Sequence, residues 1–444
     1  MRRSTCATSG SRCPVRATSS RTSRSSSSRT ADSEHRPRTH PTSRSDPSGG
    51  TVPTTKIPER EELVARVAAL VPLLRASSAR ADEERRLSPE VIEALTDAGV
   101  FRMRVPARYG GYESDTRTLV DVTTELGRGD GSAAWVAQVC SIPGWMVGMF
   151  PDSVQDEVFT TPDTRVCGTL SPSAVAEPAP GGIVVNGRWG FISGAHHAQW
   201  QVIISVLFPR DGEPYPVMAL VPMSDLATVD DWYANGLKGS GSITTIADGL
   251  FVPADRVVPL PAVLEGRSSS VTSALIPMYR TPLLPVATAS TVGTLVGLAR
   301  AGQEAFLERL PGRKITYTGY ESQHSAPVTH LQVAEAAQKI DQARFHAVRL
   351  AATVDAKAAD STPWKLEERA RARADVGTVC ALAQSAVETF AAASGGSSVY
   401  RDVPIQRIAN DLRAAALHAL INPATNAELY GRVLCGLEPD TPYI

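Results

Sequence analysis

Ile183-Val-Val-Asn-Gly-Arg-Trp-Gly-Phe-Ile-Ser193 is the stretch whose reading decides the fold class. Asn186-Gly187 sits between two runs of β-branched and aromatic residues. That pattern predicts a hairpin, because Asn-Gly adopts the left-handed conformations a tight turn needs. Gln201 to Phe208 and Ile243 to Val252 are further β-prone runs, and Asn235 to Gly241 between them is rich in glycine. Residues 163–262 therefore read as an antiparallel β-domain, a small barrel or sandwich. The flanks have a different period. Leu63, Val67, Leu70, Val71 and Leu74 recur at helical spacing. Ser88-Pro89 announces a second helix as N-cap and first helical residue, and Gly99 can end it. Further helices are expected at 114–127 and at 132–149, the latter interrupted at Pro143-Gly144.

From Leu283 the chain becomes rich in alanine. Long helices are predicted at 283–310, 328–357, 365–393 and 404–420, separated by Pro311-Gly312, Ser361 to Pro363 and Ser394 to Ser397. Four long helices with short connections predict a four-helix bundle. The fold class is α+β. A tail spans 1–56, an N-terminal helical domain 57–162, a central antiparallel β-domain 163–262, and a C-terminal helical bundle 263–444.

The 444 residues carry a formal net charge of −1. The near-neutral sum hides two unlike parts. The first 50 residues hold ten Arg against three acids, so the remainder is acidic, which argues against a nucleic-acid-binding core. That segment also holds fourteen Ser and almost no large apolar residue, so it cannot offset its ordering entropy and is expected to be disordered. It resembles a transit peptide in composition but lacks an apolar face; an incidental extension is the simpler reading, with a basic interaction tail as an alternative. Mean hydropathy is −0.11, and no run of about twenty apolar residues predicts a membrane span. Of six Cys, Cys6 and Cys13 fall in the tail, and Cys140, Cys167, Cys380 and Cys435 are scattered. This predicts a reduced, cytoplasmic protein without a structural zinc.

Several chemistries lack their motifs. There is no G-x-x-x-x-G-K-[ST], no H-E-x-x-H, no G-x-S-x-G, and no G-x-G-x-x-G between strand and helix. His196-His197 invites a metal reading, but neighbours on a strand face opposite ways, so no metal is expected there.

Four segments, in this order, carry a resemblance: Glu125-Leu-Gly-Arg-Gly-Asp-Gly-Ser-Ala-Ala-Trp135; Gly187-Arg-Trp-Gly-Phe-Ile-Ser-Gly194; Gly236-Leu-Lys-Gly-Ser-Gly-Ser242 with Phe251-Val-Pro253; and Arg407-Ile-Ala-Asn-Asp-Leu-Arg-Ala-Ala-Ala-Leu-His418. Over residues 57–444 the chain resembles the acyl-CoA dehydrogenase superfamily, and within it the two-component, group D flavin-dependent monooxygenases. The two branches differ at one position. A dehydrogenase needs a carboxylate base to remove a proton α to a thioester, supplied in most members by a Glu near the C-terminus. Here the matching stretch, Leu417-His-Ala-Leu-Ile-Asn-Pro423, has no acid and offers His418 instead.

The resemblance implies an oxygenase component that takes reduced FMN or FAD from a separate NAD(P)H-flavin reductase. With O₂ it would form a flavin hydroperoxide and hydroxylate an aromatic or polycyclic small molecule. N-oxygenation of an amino sugar, acyl-CoA dehydrogenation and a non-catalytic flavin-binding scaffold are the alternatives. A homotetramer is implied, with neither nucleic acid nor membrane as partner. Residue by residue, Ser193 matches a hydroxyl beside flavin N5, with Phe191 near the ring. Thr169, in Gly168-Thr-Leu-Ser171, matches a small hydroxyl contacting flavin or substrate. His418 matches the active-site His. Gly395 and Gly396 match a bundle loop that reaches a neighbouring subunit's cofactor. Trp135, Pro143 and Trp145 are expected to line the substrate pocket. Pro143 is a departure: the resemblance places there the His that many phenol hydroxylases of this branch carry, and Pro has no side-chain hydrogen bond to offer. Arg407, Asp411 and Arg413 read as a salt-bridged helix face.

Overall fold

A computed structural model describes residues 57–444. The basic segment, with Cys6 and Cys13, lies outside the described residues. The described residues open with six helices: α1 (Arg60–Ala68), α2 (Val71–Glu84), α3 (Pro89–Asp97), α4 (Thr116–Gly129), α5 (Gly131–Val147) and α6 (Asp152–Val158). Their starts follow the expected capping chemistry. The hydroxyl of Ser88 accepts from Val91 N–H, and the Asp115 and Asp130 carboxylates accept from Thr118 and Ala133 N–H at 2.7 Å. Gly99 ends its helix at φ 82°, where a Cβ would meet the Tyr112 hydroxyl at 2.6 Å. One expectation fails. Helix α5 runs unbroken through Pro143. The Ser141 hydroxyl back-bonds to the Ala137 carbonyl, and buried packing along nearly the whole helix compensates for the amide bond Pro143 removes.

Eight strands follow: β1 (Val166–Gly168), β2 (Ala174–Ala179), β3 (Gly182–Ile192), β4 (Trp200–Leu207), β5 (Tyr215–Pro222), β6 (Ala227–Val229), β7 (Ile243–Pro253) and β8 (Val257–Pro259). They form one sheet in the order β6-β7-β3-β2-β4-β5-β8, with β1 beside β4. Five strand pairings are antiparallel, as expected, but β4 takes β1 and β2 in parallel, so the sheet is mixed. The path is continuous, and its end strands β6 and β8 do not pair, so it does not close into a barrel. Asn186-Gly187 is not the hairpin. The turn is Pro180-Gly181, with Ala179 paired to Gly182 and Gly181 at φ 81°. Asn186 and Gly187 lie inside β3 at a register shift against β7. Two contacts hold them extended. Asn186 Oδ1 accepts from Gly249 N–H at 2.6 Å, and a Cβ on Gly187 would meet that of Ala174 at 2.2 Å.

Helix α7 (Leu260–Leu264) leads to the bundle: α8 (Leu283–Arg309), α9 (Pro327–Asp360), α10 (Leu366–Ala393), α11 (Pro404–Ala416) and α12 (Pro423–Leu434). The first three match the predicted positions. The fourth ends at Ala416, and a fifth follows after a turn at 417–422, so His418 lies in a turn and not in a helix. Helices α8 and α10 each contain a window long and apolar enough to cross a membrane. Here α8 is instead the central core helix, buried from Leu283 through Ala299 and packed against α4, α10 and α9.

The α4–α8 crossing is built from small residues. A Cβ on Gly297 would lie 2.4 Å from the Thr124 carbonyl oxygen and 2.8 Å from Gly127 Cα. A Cβ on Gly293 would lie 2.0 Å from the Thr123 hydroxyl. Backbones this close leave no rotamer to relieve a clash. Gly297→Ala is therefore expected to cost about 1–3 kcal/mol. Gly431→Ala, at a site in α12 with nothing within 4 Å, should leave stability unchanged or raise it by roughly 0.5 kcal/mol. Thermal denaturation of the two variants side by side checks this; equal losses would contradict it.

Candidate active site

Strand β3 ends in a strained corner. Phe191 sits in the left-handed region at φ 63°, uncommon for a bulky residue, at a second register shift between Trp189 and Ile192. The corner throws the Phe191 ring outward, where it is 76% exposed and meets Trp232 edge-on with centroids 6.0 Å apart. Two residues later Ser193 turns inward and is 5% exposed. Its hydroxyl accepts from the Trp135 indole N–H at 3.0 Å and lies 2.7 Å from the Ser242 hydroxyl. Ser242 lies 2.7 Å from Ser240, which donates to the Leu237 carbonyl at 2.6 Å.

Trp135 belongs to α5 and also meets the third part of the chain. Its ring faces the imidazole of His418 edge-on, centroids 5.6 Å apart. Trp135, Ser193 and His418, each from a different part of the chain, thus meet around one indole. Sequence reasoning treated Trp135 as pocket wall. It missed the indole N–H that joins it to Ser193, and gave no role to Ser240 and Ser242. The signal was there: three serines in segments already singled out, two of them within Gly236–Ser242.

His418 is exposed in the isolated chain, with one side of its ring set against the Trp135 indole. Desolvation, with a smaller contribution from the Arg373 cation, lowers its pKa to about 4. The imidazole is therefore neutral near pH 7. Nδ1 accepts from Leu420 N–H at 3.3 Å, which assigns the ring proton to Nε2. The site is thus given a neutral N–H donor.

The turn holding His418 is itself tied down. Buried Arg373 donates to the Ala419 carbonyl at 3.4 Å, to Asn426 Oδ1 at 2.7 Å and to the Tyr443 carbonyl. The Tyr443 hydroxyl donates to the Leu170 carbonyl at 3.2 Å, so the same anchor reaches the segment carrying half-buried Thr169.

The remaining expected residues lie apart. Trp145 is fully buried, donates its N–H to the Met278 carbonyl at 2.9 Å and packs on Tyr279, so it has no open face for a substrate. Pro143 is buried within α5. Gly395, at φ 64°, and Gly396 follow α10 near Arg313, away from Ser193 and His418 within the chain. Arg407, Asp411 and Arg413 do not form one salt-bridged face. Arg413 pairs with Glu388 on the surface, while Asp411 points inward and accepts from Leu237 N–H at 2.6 Å. His196 and His197 occupy a short 3₁₀ turn, and no cluster of metal-ligating residues occurs among the described residues.

Two features fit a flavin. The outward Phe191 ring offers an apolar face that no described side chain covers, beyond its edge contact with Trp232. Ser193 keeps one lone pair unused after its two protein hydrogen bonds.

Residues 58–159 match the family model for the acyl-CoA dehydrogenase N-terminal domain, and residues 289–423 match that for the C-terminal domain. The FADH2-dependent resorcinol hydroxylase oxygenase component of a Rhizobium species is 31% identical over 391 residues, spanning 86% of this chain and 96% of that protein. The flavin-dependent monooxygenase oxygenase subunit HsaA of Mycobacterium tuberculosis is 28% identical, spanning 87% and 98%. Among solved structures, XiaF from Streptomyces, in complex with FADH2 and glycerol, superposes with a TM-score of 0.82 at 28% identity, covering 87% of this chain and 98% of that one.

Two predictions follow from the site's buried charges. Burial and the neighbouring Asp130 push the Asp411 carboxyl well above its usual range, and burial takes Asp130 to about 6. A raised native pKa means these acids weaken the fold as pH rises through their titration. Asp411→Asn keeps the acceptor for Leu237 N–H and removes the charge, so it should preserve stability and flatten its pH dependence. Asp411→Ala should lose about 1–3 kcal/mol. Denaturation at several pH values distinguishes the two. His418 runs the other way: its lowered native pKa costs stability as pH falls from about 6.5 toward 4. Its ring resonances should show no titration between about pH 5.5 and 8, and an inflection near 6.5 would contradict the lowered value.

Proposed function

The chain belongs to the acyl-CoA dehydrogenase family, as an oxygenase component of the two-component flavin-dependent monooxygenases, and from that premise we propose that it hydroxylates an aromatic or polycyclic small molecule. The convergence of Trp135, Ser193 and His418 on one indole carries the reading. Reduced flavin, when bound, supplies the two electrons that, with O₂, place one oxygen atom in the substrate and the other in water. Ser193 and Phe191 would hold its ring, with Thr169 near it.

The protein's own part is positional. Phe191 and Trp232 give the ring an apolar face and keep water from it. His418, neutral and protonated at Nε2, offers a directed N–H to a reacting oxygen. The absence of a carboxylate from residues 417–423 leaves the dehydrogenase reaction without its base in that stretch. Pro143, buried within α5, supplies no side-chain hydrogen bond, so the substrate is proposed to be selected by shape and apolar contact.

The assembly proposed is a homotetramer, with Gly395 and Gly396 contributing to a neighbouring subunit's flavin. Exposed Val399 and Tyr400 support an apolar contact there. A separate flavin reductase would deliver the reduced cofactor, and the cytoplasm is the proposed location.

The test is oxygen uptake with reduced FMN or FAD and a panel of phenols and fused-ring aromatics, with hydroxylated product measured by mass. Product is expected with at least one aromatic. Oxidation of an acyl-CoA without oxygen uptake would overturn the reading. His418→Ala should lower product formation about 10²-fold or more while changing flavin affinity less than threefold. Ser193→Ala should raise the fraction of oxygen released as hydrogen peroxide.

A further inference from the structure

Four hydrogen bonds near Ser193 can run in only one direction. A tryptophan N–H has no acceptor, so Trp135 donates to Ser193 at 3.0 Å. A carbonyl has no proton, so Ser240 must donate to the Leu237 oxygen at 2.6 Å. Each serine owns a single proton. With the proton of Ser240 committed, the 2.7 Å contact between Ser240 and Ser242 requires Ser242 to donate. With the proton of Ser242 committed, the 2.7 Å contact between Ser242 and Ser193 requires Ser193 to donate. The chain therefore reads Trp135 N–H to Ser193, Ser193 to Ser242, Ser242 to Ser240, and Ser240 to the Leu237 carbonyl. The acceptor end is fixed as well. The Leu237 oxygen also accepts from the Trp232 indole at 3.0 Å, and Leu237 N–H is held by Asp411 at 2.6 Å.

Ser193 is left with one lone pair and no proton to offer. We infer that this one-way chain makes Ser193 an obligate hydrogen-bond acceptor toward the cofactor, so that the apoprotein selects reduced over oxidised flavin, with Ser242 and Ser240 as positioning residues. The inference rests on the proposed contact between Ser193 and flavin N5. Reduced flavin carries a hydrogen at N5 and can donate to Ser193. Oxidised flavin presents a lone pair at N5, which would face the lone pair of Ser193. Two acceptors opposed in a buried site lose a hydrogen bond and repel. Such selection suits an enzyme that must take its cofactor in one redox state and give it up in the other.

The prediction differs for each link. In Ser242→Ala the proton of Ser193 has no protein acceptor and turns to the cofactor, which now accommodates an oxidised N5. In Ser240→Ala the proton of Ser242 turns toward Ser193, freeing Ser193 in the same way from two hydrogen bonds away. Ser242→Thr keeps the hydroxyl and the direction. Trp135→Phe removes a donor to Ser193 but leaves its proton on Ser242, so acceptor character is retained.

The experiment is equilibrium binding of reduced FAD and FMN under anaerobic conditions, and of the oxidised forms in air, to the full chain and these four variants, with folding checked by circular dichroism. The readout is the ratio of the two Kd values. The unaltered protein should bind reduced flavin at least about tenfold more tightly. Ser242→Ala and Ser240→Ala should shrink that ratio by roughly tenfold, chiefly by tightening the oxidised form, the effect of about one hydrogen bond. Ser242→Thr and Trp135→Phe should keep it. Parallel shifts of both Kd values in the alanine variants, or an unaltered protein with no preference, would overturn the inference while leaving the flavin enzyme reading intact. Failure of every form to bind either flavin would overturn both. Should Ser242→Ala misfold, Ser240→Ala decides alone, because its hydroxyl does not touch Ser193.

Discussion

The Asp411 carboxylate grips the backbone N–H of Leu237, and the rest of the site depends on that bond. Leu237 sits at φ 50°, a conformation a branched residue does not adopt unaided. Three further bonds hold the same residue on its other side: its carbonyl receives the Ser240 hydroxyl, the Ser240 N–H and the Trp232 indole. The bond also spans the chain. Asp411 belongs to α11, which ends at Ala416 just before His418, whereas Leu237 opens the loop carrying Ser240 and Ser242. Fixing one residue therefore fixes the spacing between the His418 turn and the serine chain. The cost is a buried carboxylate with no salt-bridge partner among the described residues and Asp130 close by. A cost of that kind is retained where geometry matters more than stability.

A second tether works from the other side. Arg373 is a buried cation whose partners are all neutral: the Ala419 and Tyr443 carbonyls and the Asn426 amide oxygen. It clamps the turn just beyond His418, and through Tyr443 it reaches the Leu170 carbonyl beside Thr169. Its charge, unneutralised by any carboxylate among the described residues, helps keep His418 neutral. The two tethers enter from opposite ends of the sequence that makes the site. Trp135, on a helix buried almost throughout its length, is the rigid element between them.

Elements whose signal is local were legible in the sequence. Ser88-Pro89 capped its helix, Gly99 ended it, and the alanine-rich runs gave α8, α9 and α10. What misled was local chemistry overridden by tertiary contact. Asn186-Gly187 has the composition of a tight turn, but Asn186 spends its side chain on Gly249 and Gly187 leaves room for Ala174, so the pair continues a strand. Pro143 should break a helix, yet α5 is held by burial along nearly all its length. The Ala-rich run ending in His418 looked helical to residue 420; the Asn422 side chain, accepting from Ala424 and Thr425 N–H, instead starts a new helix and forces a turn before it. At the site, Ser193 and His418 could be named from resemblance. Their meeting at Trp135 could not, because 58 residues separate Trp135 from Ser193 and no periodicity spans that distance.

The distribution of charge around the site has a consistent logic. The side chains that meet at the site are neutral: an imidazole without its second proton, hydroxyls, indoles and a phenyl ring. The ionisable groups Asp411, Asp130 and Arg373 stand one layer behind, each spent on holding backbone. A charge in the first layer would attract water, and water is what a site for reduced flavin and oxygen has to exclude. A neutral first layer cannot bias a proton's position by charge, so it must do so by connectivity. A chain of hydroxyls anchored at one end by a group that can only donate and at the other by one that can only accept has a single low-energy arrangement. Asp411 stands at the accepting end of that chain. The residue that fixes the spacing of the site thus also steadies the residue at which the chain of hydroxyl protons ends, which is a role no apolar side chain could take, because it would leave the Leu237 N–H without an acceptor.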